Sequence, residues 1–237
     1  MRVDQLNLET VARNDNFNNW MYSEIKPYIN GNILEVGSGL GTFSRKIIKD
    51  FPANAVFLSD VNEEYLRRLR QSFTISNNTQ VVKLDLNNPG DFAALSPNQF
   101  DTIICLNVLE HIADDIFALQ EIKKLLKSNG RLILLVPCHK WLYNELDKAV
   151  LHYRRYHKRE LTQKIVQAGF LVERLWYFNF FSIFGWFVNG TIFKKAKLSR
   201  HAFTIFNAAV PILRLIEKYI LARSVGMSLI AIAKKQE

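Results

Sequence analysis

The chain reads as an α/β protein built on a doubly wound parallel sheet. Three observations predict this. Five short apolar runs alternate with helical patterns through the first two-thirds of the sequence, the first run opens onto a glycine turn ("ILEVGSGLGTFS"), and Asp60 and Asp85 close the second and third runs. Strand and helix in turn place parallel strands side by side with helices on both faces. With 237 residues and an apolar fraction of 49%, one sizeable core can be buried, and a single domain over residues 1–237 is expected.

The runs "NILEV", "AVFLSD", "VVKLDL", "FDTIICLN" and "RLILLVP" are short, rich in Val, Ile and Leu, and bounded by Gly, Pro, Asn or Asp. That is the pattern of strands buried on both faces. Helical spacing covers residues 42–50, 63–72 and 114–127, the last with Ile116, Leu119, Ile122 and Leu126 on one face and "SNG" as its stop signal. From residue 138 the alternation breaks into an aromatic and basic stretch, "CHKWLYNELDKAVLHYRRYHK". A helix, "ELTQKIVQAG", and a strand, "FLVERLWYF", follow. The tail then holds an aromatic run, a basic patch "KKAK", an amphipathic helix around residues 203–221, and "MSLIAIAKK", a strand returning to the sheet.

Residues 175–193 carry no charge and nine aromatic side chains. Their length approaches the ~20 residues of a spanning helix. Asn179, Ser182, Asn189 and two glycines interrupt them, which favours a strand followed by a buried or membrane-grazing helix.

Thirty-one basic against 22 acidic side chains give a formal charge of +9. This admits nucleic acid, a lipid surface or an acidic small molecule as partner without choosing among them. Cys105 and Cys138 lack metal-type spacing, which argues against a disulfide scaffold or a cysteine zinc site. The start "MRVDQLNLET" has no apolar core of signal-peptide type, so a cytoplasmic location is expected.

A glycine turn after a first buried strand lets a ligand approach the backbone. The dinucleotide fingerprint needs its third glycine at the position of Thr42, whereas here it is Gly41, and no Gly-Lys-Ser/Thr follows. Glu35, two residues before Gly37, suits an ammonium or sulfonium better than a pyrophosphate. An ordinary tight turn is the competing reading. Asp60 weakens it, lying about 20 residues beyond the turn, where an acid can hold ribose hydroxyls.

Taken in order, "LEVGSGLG", Asp60 after "VFLS", "KLDL" and "FDTIICLNVLEHI" resemble the class I S-adenosylmethionine-dependent methyltransferases, over nearly the whole chain. The resemblance implies a Rossmann-like sheet of seven strands with the last antiparallel, and S-adenosyl-L-methionine as cofactor. It implies that Glu35, Gly37, Gly39 and Gly41 shape the pocket for the methionine part and that Asp60 holds the ribose. Asp85 and Leu86 would lie along the adenine, with Asn107 near the sulfonium. "FLVERLWYF" and "MSLIAIAKK" would be the sixth and seventh strands. Between them a helical insert, residues 179–225, replaces the family's short hairpin.

Methyl transfer from a sulfonium is an in-line displacement, helped by alignment and exclusion of water. A base is needed only for an acceptor such as a hydroxyl. His111, just past the fourth strand, is the candidate base; a histidine that merely supports the pocket is an equal alternative. Ubiquinone-pathway O-methyltransferases have a similar segment with a further acid that permits a metal. Asn107 stands in that place, so no metal on Glu110 and His111 is expected.

The segment "HYRRYHKRE" resembles the lid of a methyltransferase subgroup, which implies a lid over residues 138–160, and paired guanidiniums can fork a carboxylate or phosphate. His152, Tyr153, Arg154, Arg155 and Tyr156 are the expected acceptor contacts, with Tyr143 and His139 as outer candidates; a solvated basic helix is the alternative. Cys138 after Pro137 reads as a buried thiol rather than a nucleophile. No Asn-Pro-Pro-aromatic signature follows the fourth strand, which weighs against nucleic-acid modification. The expected reaction is O-methylation of a small anionic or hydroxylated acceptor: a natural-product acid, a peptide carboxylate or a lipid-linked metabolite. The alternatives are an RNA methyltransferase and a non-catalytic module contacting a membrane surface. Oligomeric state is left open.

Overall fold

A computed structural model describes residues 3–73 and 78–236. Seven strands form one sheet: β1 (Ile33–Val36), β2 (Val56–Asp60), β3 (Thr79–Lys83), β4 (Phe100–Leu106), β5 (Leu126–Pro137), β6 (Phe170–Phe178) and β7 (Ser228–Lys235). Their order is β3-β2-β1-β4-β5-β7-β6. The first five pair in parallel, and β7 runs antiparallel to both β5 and β6. The seven-stranded sheet with an antiparallel last strand is as expected.

Helices α1 (Val3–Ala12) and α2 (Asp15–Ile25) precede the sheet. The crossovers carry α3 (Thr42–Asp50), α4 (Glu63–Phe73), α5 (Pro89–Phe92) and α6 (Asp115–Leu125), followed by α7 (Glu145–Ala149) and α8 (Lys158–Gln167). Between β6 and β7 stand α9 (Ser182–Trp186), a π-helical continuation (Phe187–Ile192) and α10 (Arg200–Tyr219).

The two-residue period of the strands divides the core. Ile103 and Cys105 of β4 pack with Leu119 and Ile122 of α6 and with Leu161 and Ile165 of α8. Ile104, pointing the other way, joins Ile25 of α2, Ile47 of α3, Leu69 of α4 and Val210 of α10. Both faces are therefore covered, and the strand ends are left for function.

Three boundaries differ from the sequence pattern. The helix expected to reach residue 127 stops at Leu125, because Leu126 pairs with Phe100 and the strand continues through the "SNG" turn over a register shift. Strand β3 ends at Lys83, so Asp85 and Leu86 lie on the loop beyond it. The expected grazing helix after β6 is a short α-turn passing into π geometry. No helix is long and apolar enough to cross a membrane among the described residues.

Candidate active site at the strand ends

The glycine turn sits where β1 leaves the middle of the sheet toward α3. Gly37, Gly39 and Gly41 all adopt left-handed φ, at 73°, 53° and 73°, a region L side chains rarely occupy. A Cβ on Gly37 would also run into Val108 Cγ2. Leu8 of α1 approaches Gly39, so the first helix lies over the turn.

Glu35 holds this turn from beneath. Its Oε2 accepts from Ser38 Oγ at 3.0 Å and from Ser44 Oγ, tying the strand end to the turn and to α3. Burial pushes the carboxyl up to about 7, against the pull of those two hydroxyls. Asp60, ending β2, accepts Gly39 N–H on Oδ2 at 2.9 Å and Asn62 N–H on Oδ1 at 2.8 Å. Each oxygen keeps a second lone pair. Burial raises this carboxyl too, and the backbone donors oppose the rise.

Asp85 is half-buried and accepts from Asn87 N–H at 2.9 Å, beside the buried Leu86. Asn107 follows β4 in a left-handed conformation, φ 53°, and donates its N–H to Leu135 O at 2.8 Å. The predicted cofactor residues thus lie at the carboxyl ends of β1, β2, β3 and β4, four neighbours in the sheet, which is where open α/β sheets bind ligands. The chemistry suits a nucleoside with a cationic tail: a tight backbone turn, a ribose-competent acid, and a carboxylate beneath the turn.

Past Asn107 the chain makes a 3₁₀ turn, Leu109–His111. Glu110 within it is 0% exposed, and neither of its carboxylate oxygens has a hydrogen-bond partner. Burial pushes it up to about 7, while the nearby His152 and Arg155 charges draw it down. The His111 and His152 rings meet edge to face, centroids 4.6 Å apart. His152 Nε2 lies 3.8 Å from Glu110 Oε1, and its Nδ1 lies 2.9 Å from Asp147 Oδ1. Glu110, His111 and His152 bring one ligand atom each within 4.8 Å of one another, so the group can handle a proton or hold a metal ion.

Asp147 is the residue that sequence reasoning missed. It also accepts from Arg155 Nε at 2.8 Å, Asn144 N–H at 3.0 Å and Trp186 Nε1 at 3.2 Å. Burial would raise its carboxyl, but the His152 and Arg155 donors more than reverse this and hold it below the usual range. Its signal in the sequence was the capping-box spacing from Asn144, the N-cap of α7.

This network corrects the expected acceptor contacts. Arg155 is 1% exposed, with Nε on Asp147, Nη1 on Cys138 O at 3.1 Å, Nη2 buried without a partner and its plane against Trp186; it does not line the crevice. Tyr156 is buried and donates to Asp115 Oδ2 at 2.9 Å. Arg154 pairs with the same carboxylate at 2.9 Å and reaches Ala113 O at 2.7 Å. A segment that looked like an anion clamp spends these side chains on internal acids, because a buried guanidinium needs a partner more than a solvent-facing one does. Tyr153 is 64% exposed, Tyr143 donates to His152 O at 2.7 Å, and His139 stacks on Tyr177 at 5.6 Å. Cys138 is buried and its thiol is pushed up to about 12 by burial, so it is no nucleophile.

Beside Asn107 opens a mainly apolar cavity of about 260 Å³, lined by residues including Phe17, Met21, Asn107, Asn179, Trp186 and Phe203. The insert supplies one wall and α2 another. Trp186 belongs to both the cavity and the Asp147 network.

Residues 34–132 match the family described as a methyltransferase domain. Probable polyketide synthase 42 of Dictyostelium discoideum is 29% identical over 143 residues, which are 52% of this chain and 5% of that protein. The chain spans 5% to 6% of the length of the first curated relatives it matches. Among solved structures, a chain of the Haloferax volcanii complex between the Trm112 methyltransferase activator and a methyltransferase superposes with TM-score 0.67 at 14% identity, covering 99% of this chain and 98% of that one. An S-adenosylmethionine-dependent methyltransferase from Mesorhizobium loti gives 0.64 at 14% identity, covering 91% and 98%. At such identity the likeness is one of fold.

Proposed function

We propose, from the premise that this chain belongs to the class I S-adenosylmethionine-dependent methyltransferases, that it methylates an oxygen on a small amphiphilic acceptor whose apolar body occupies the cavity beside Asn107. The cofactor supplies, when bound, an electrophilic methyl on a sulfonium. The glycine turn, with Glu35 beneath it, receives its methionine part, Asp60 its ribose hydroxyls, and Asp85 and Leu86 its base. Asn107 lines the cavity and, in this reading, stands at the sulfonium end of the cofactor.

The observation that carries the oxygen chemistry is Glu110: a fully buried carboxylate with no hydrogen-bond partner, packed against two imidazoles one turn past β4. Such a group is costly unless it serves a charge. In this reading His111 accepts the acceptor's hydroxyl proton, and the Glu110 carboxylate stabilises the resulting imidazolium. Asp147 fixes the His152 ring through Nδ1, so that Nε2 faces Glu110. Arg155 and Tyr156 are positioning residues: they hold Asp147 and Asp115, and through them the lid. The RNA reading loses its support, because the arginines that would grip phosphates are already paired.

Mass spectrometry of acceptor pools incubated with isotopically labelled methyl donor tests the reading. Label on an oxygen of an amphiphile is expected. His111→Ala should lower kcat by about 10²–10⁴-fold, the worth of a general base, with S-adenosylhomocysteine affinity unchanged. Full activity of that variant, or label confined to carbon or nitrogen, would contradict it.

A further inference from the structure

The insert between β6 and β7 has two unlike sides. Inward, Phe203 and Phe206 of α10 meet Phe17 of α2 at 5.7 and 5.8 Å, and Asn207 Oδ1 accepts Phe17 N–H at 2.9 Å. Glu217 is buried and accepts the N–H groups of Asn179 and Phe180 at 2.7 and 2.8 Å. These contacts hold the helix on the sheet. Outward, Ile205, Ile212, Leu215 and Tyr219 are exposed and fall on one stripe of the same helix. Phe184, Val188 and Ile192 make a second exposed stripe at i, i+4, i+8, beside the one through which Phe181, Gly185 and Asn189 line the cavity. Soluble surfaces seldom gather so many large apolar side chains without a partner.

Charge indicates which partner. Residues 179–227 hold seven lysines and arginines against one carboxylate, the inward-facing Glu217; Arg200 and Arg223 pair with Glu9 and Glu24 of the first two helices, which leaves Lys194, Lys195, Lys197, Arg214 and Lys218 for the outer side. A basic, apolar outer face without exposed acids complements an anionic bilayer, whose headgroups take the cations and whose acyl boundary takes the side chains. Neither helix is long and apolar enough to span, so the fit is to the interface.

We infer that the outer face of the insert docks on an anionic membrane, and that the cavity behind it receives the apolar chain of an acceptor drawn from that membrane. The second clause rests on the function proposed above; the docking does not. The insert then supplies both the address and one wall of the acceptor site.

Flotation of the full chain with vesicles tests this, using phosphatidylcholine alone and mixed with phosphatidylglycerol. The protein should rise with the mixed vesicles and stay at the bottom with the neutral ones. Reversing Lys194, Lys195 and Lys197 to glutamate should weaken partitioning by about a hundredfold. Ile212→Asp with Leu215→Asp should also abolish flotation; both side chains are exposed, so the unfolding midpoint and S-adenosylhomocysteine affinity should hold. Wild-type protein that stays at the bottom with anionic vesicles overturns the docking. So does a dimer that the Ile212 and Leu215 variant dissociates in the absence of lipid. Cofactor affinity, measured alongside, shows whether the functional reading survives that failure.

Discussion

At the residue scale, buried carboxylates behave differently according to their surroundings. Glu35 has its value pushed up to about 7 by burial, and a cationic ligand over the glycine turn favours its ionised form. Binding should therefore release a proton. Affinity for the sulfonium cofactor should rise as pH increases toward neutrality, by up to about tenfold per pH unit, and level off above it. Calorimetry in buffers of different ionisation enthalpy reads the proton directly, and Glu35→Gln should flatten the profile. Asp147 is the opposite case, ionised and surrounded by donors. Asp147→Asn strips the charge that pairs buried Arg155 and should cost about 3–5 kcal/mol in denaturant unfolding. Of these residues, Glu35 was legible, being set beside the turn it supports. The partners of Arg154 and Arg155 were not: Asp115 lies far back in the sequence from Arg154, and Asp147 sits on α7 while Arg155 lies in the irregular segment before α8. A run of basic residues looks alike whether its acids are solvent-borne or internal.

At the element scale, the β1 turn is wound so tightly that only glycine fits. Gly37→Ala would place a Cβ against Val108 at left-handed φ. It should cost about 1–3 kcal/mol of stability and remove measurable cofactor binding. The strands and the crossover helices were readable because their apolar period and their turn residues agree. The end of α6 was not, since Leu126 continues the helical spacing while the sheet claims it for pairing with Phe100. Tertiary pairing won over local pattern. The cavity was equally hidden: its lining comes from α1, α2, the loop after β4, β5 and the insert, and no local spacing joins these. Only the unusual length of the segment between β6 and β7 marked this region as departing from the family's pattern.

For the whole molecule, buried acids set the pH response. Glu35, Glu110 and Glu217 are each pushed up to about 7, chiefly by burial. The folded chain then holds more protons than the unfolded one between the ordinary carboxylate range and neutrality. Their contribution to stability is complete below that range and is lost as pH rises through about 7. Asp147, held low, acts in the reverse sense and is lost on strong acidification. The thermal midpoint of the ligand-free protein should accordingly peak in mildly acidic buffer and fall toward alkaline pH. Glu217→Gln, remote from the glycine turn, should reduce that fall. A midpoint that climbs steadily from acid to alkali would show that these carboxyls are ionised in the fold.

Titration calorimetry of the full chain with S-adenosylhomocysteine, beside Gly37→Ala and NADH, tests directly whether the glycine turn holds this cofactor. One saturable site for S-adenosylhomocysteine is expected, lost in the glycine variant, with no heat from NADH. Uptake of NADH with no response to S-adenosylhomocysteine would contradict it.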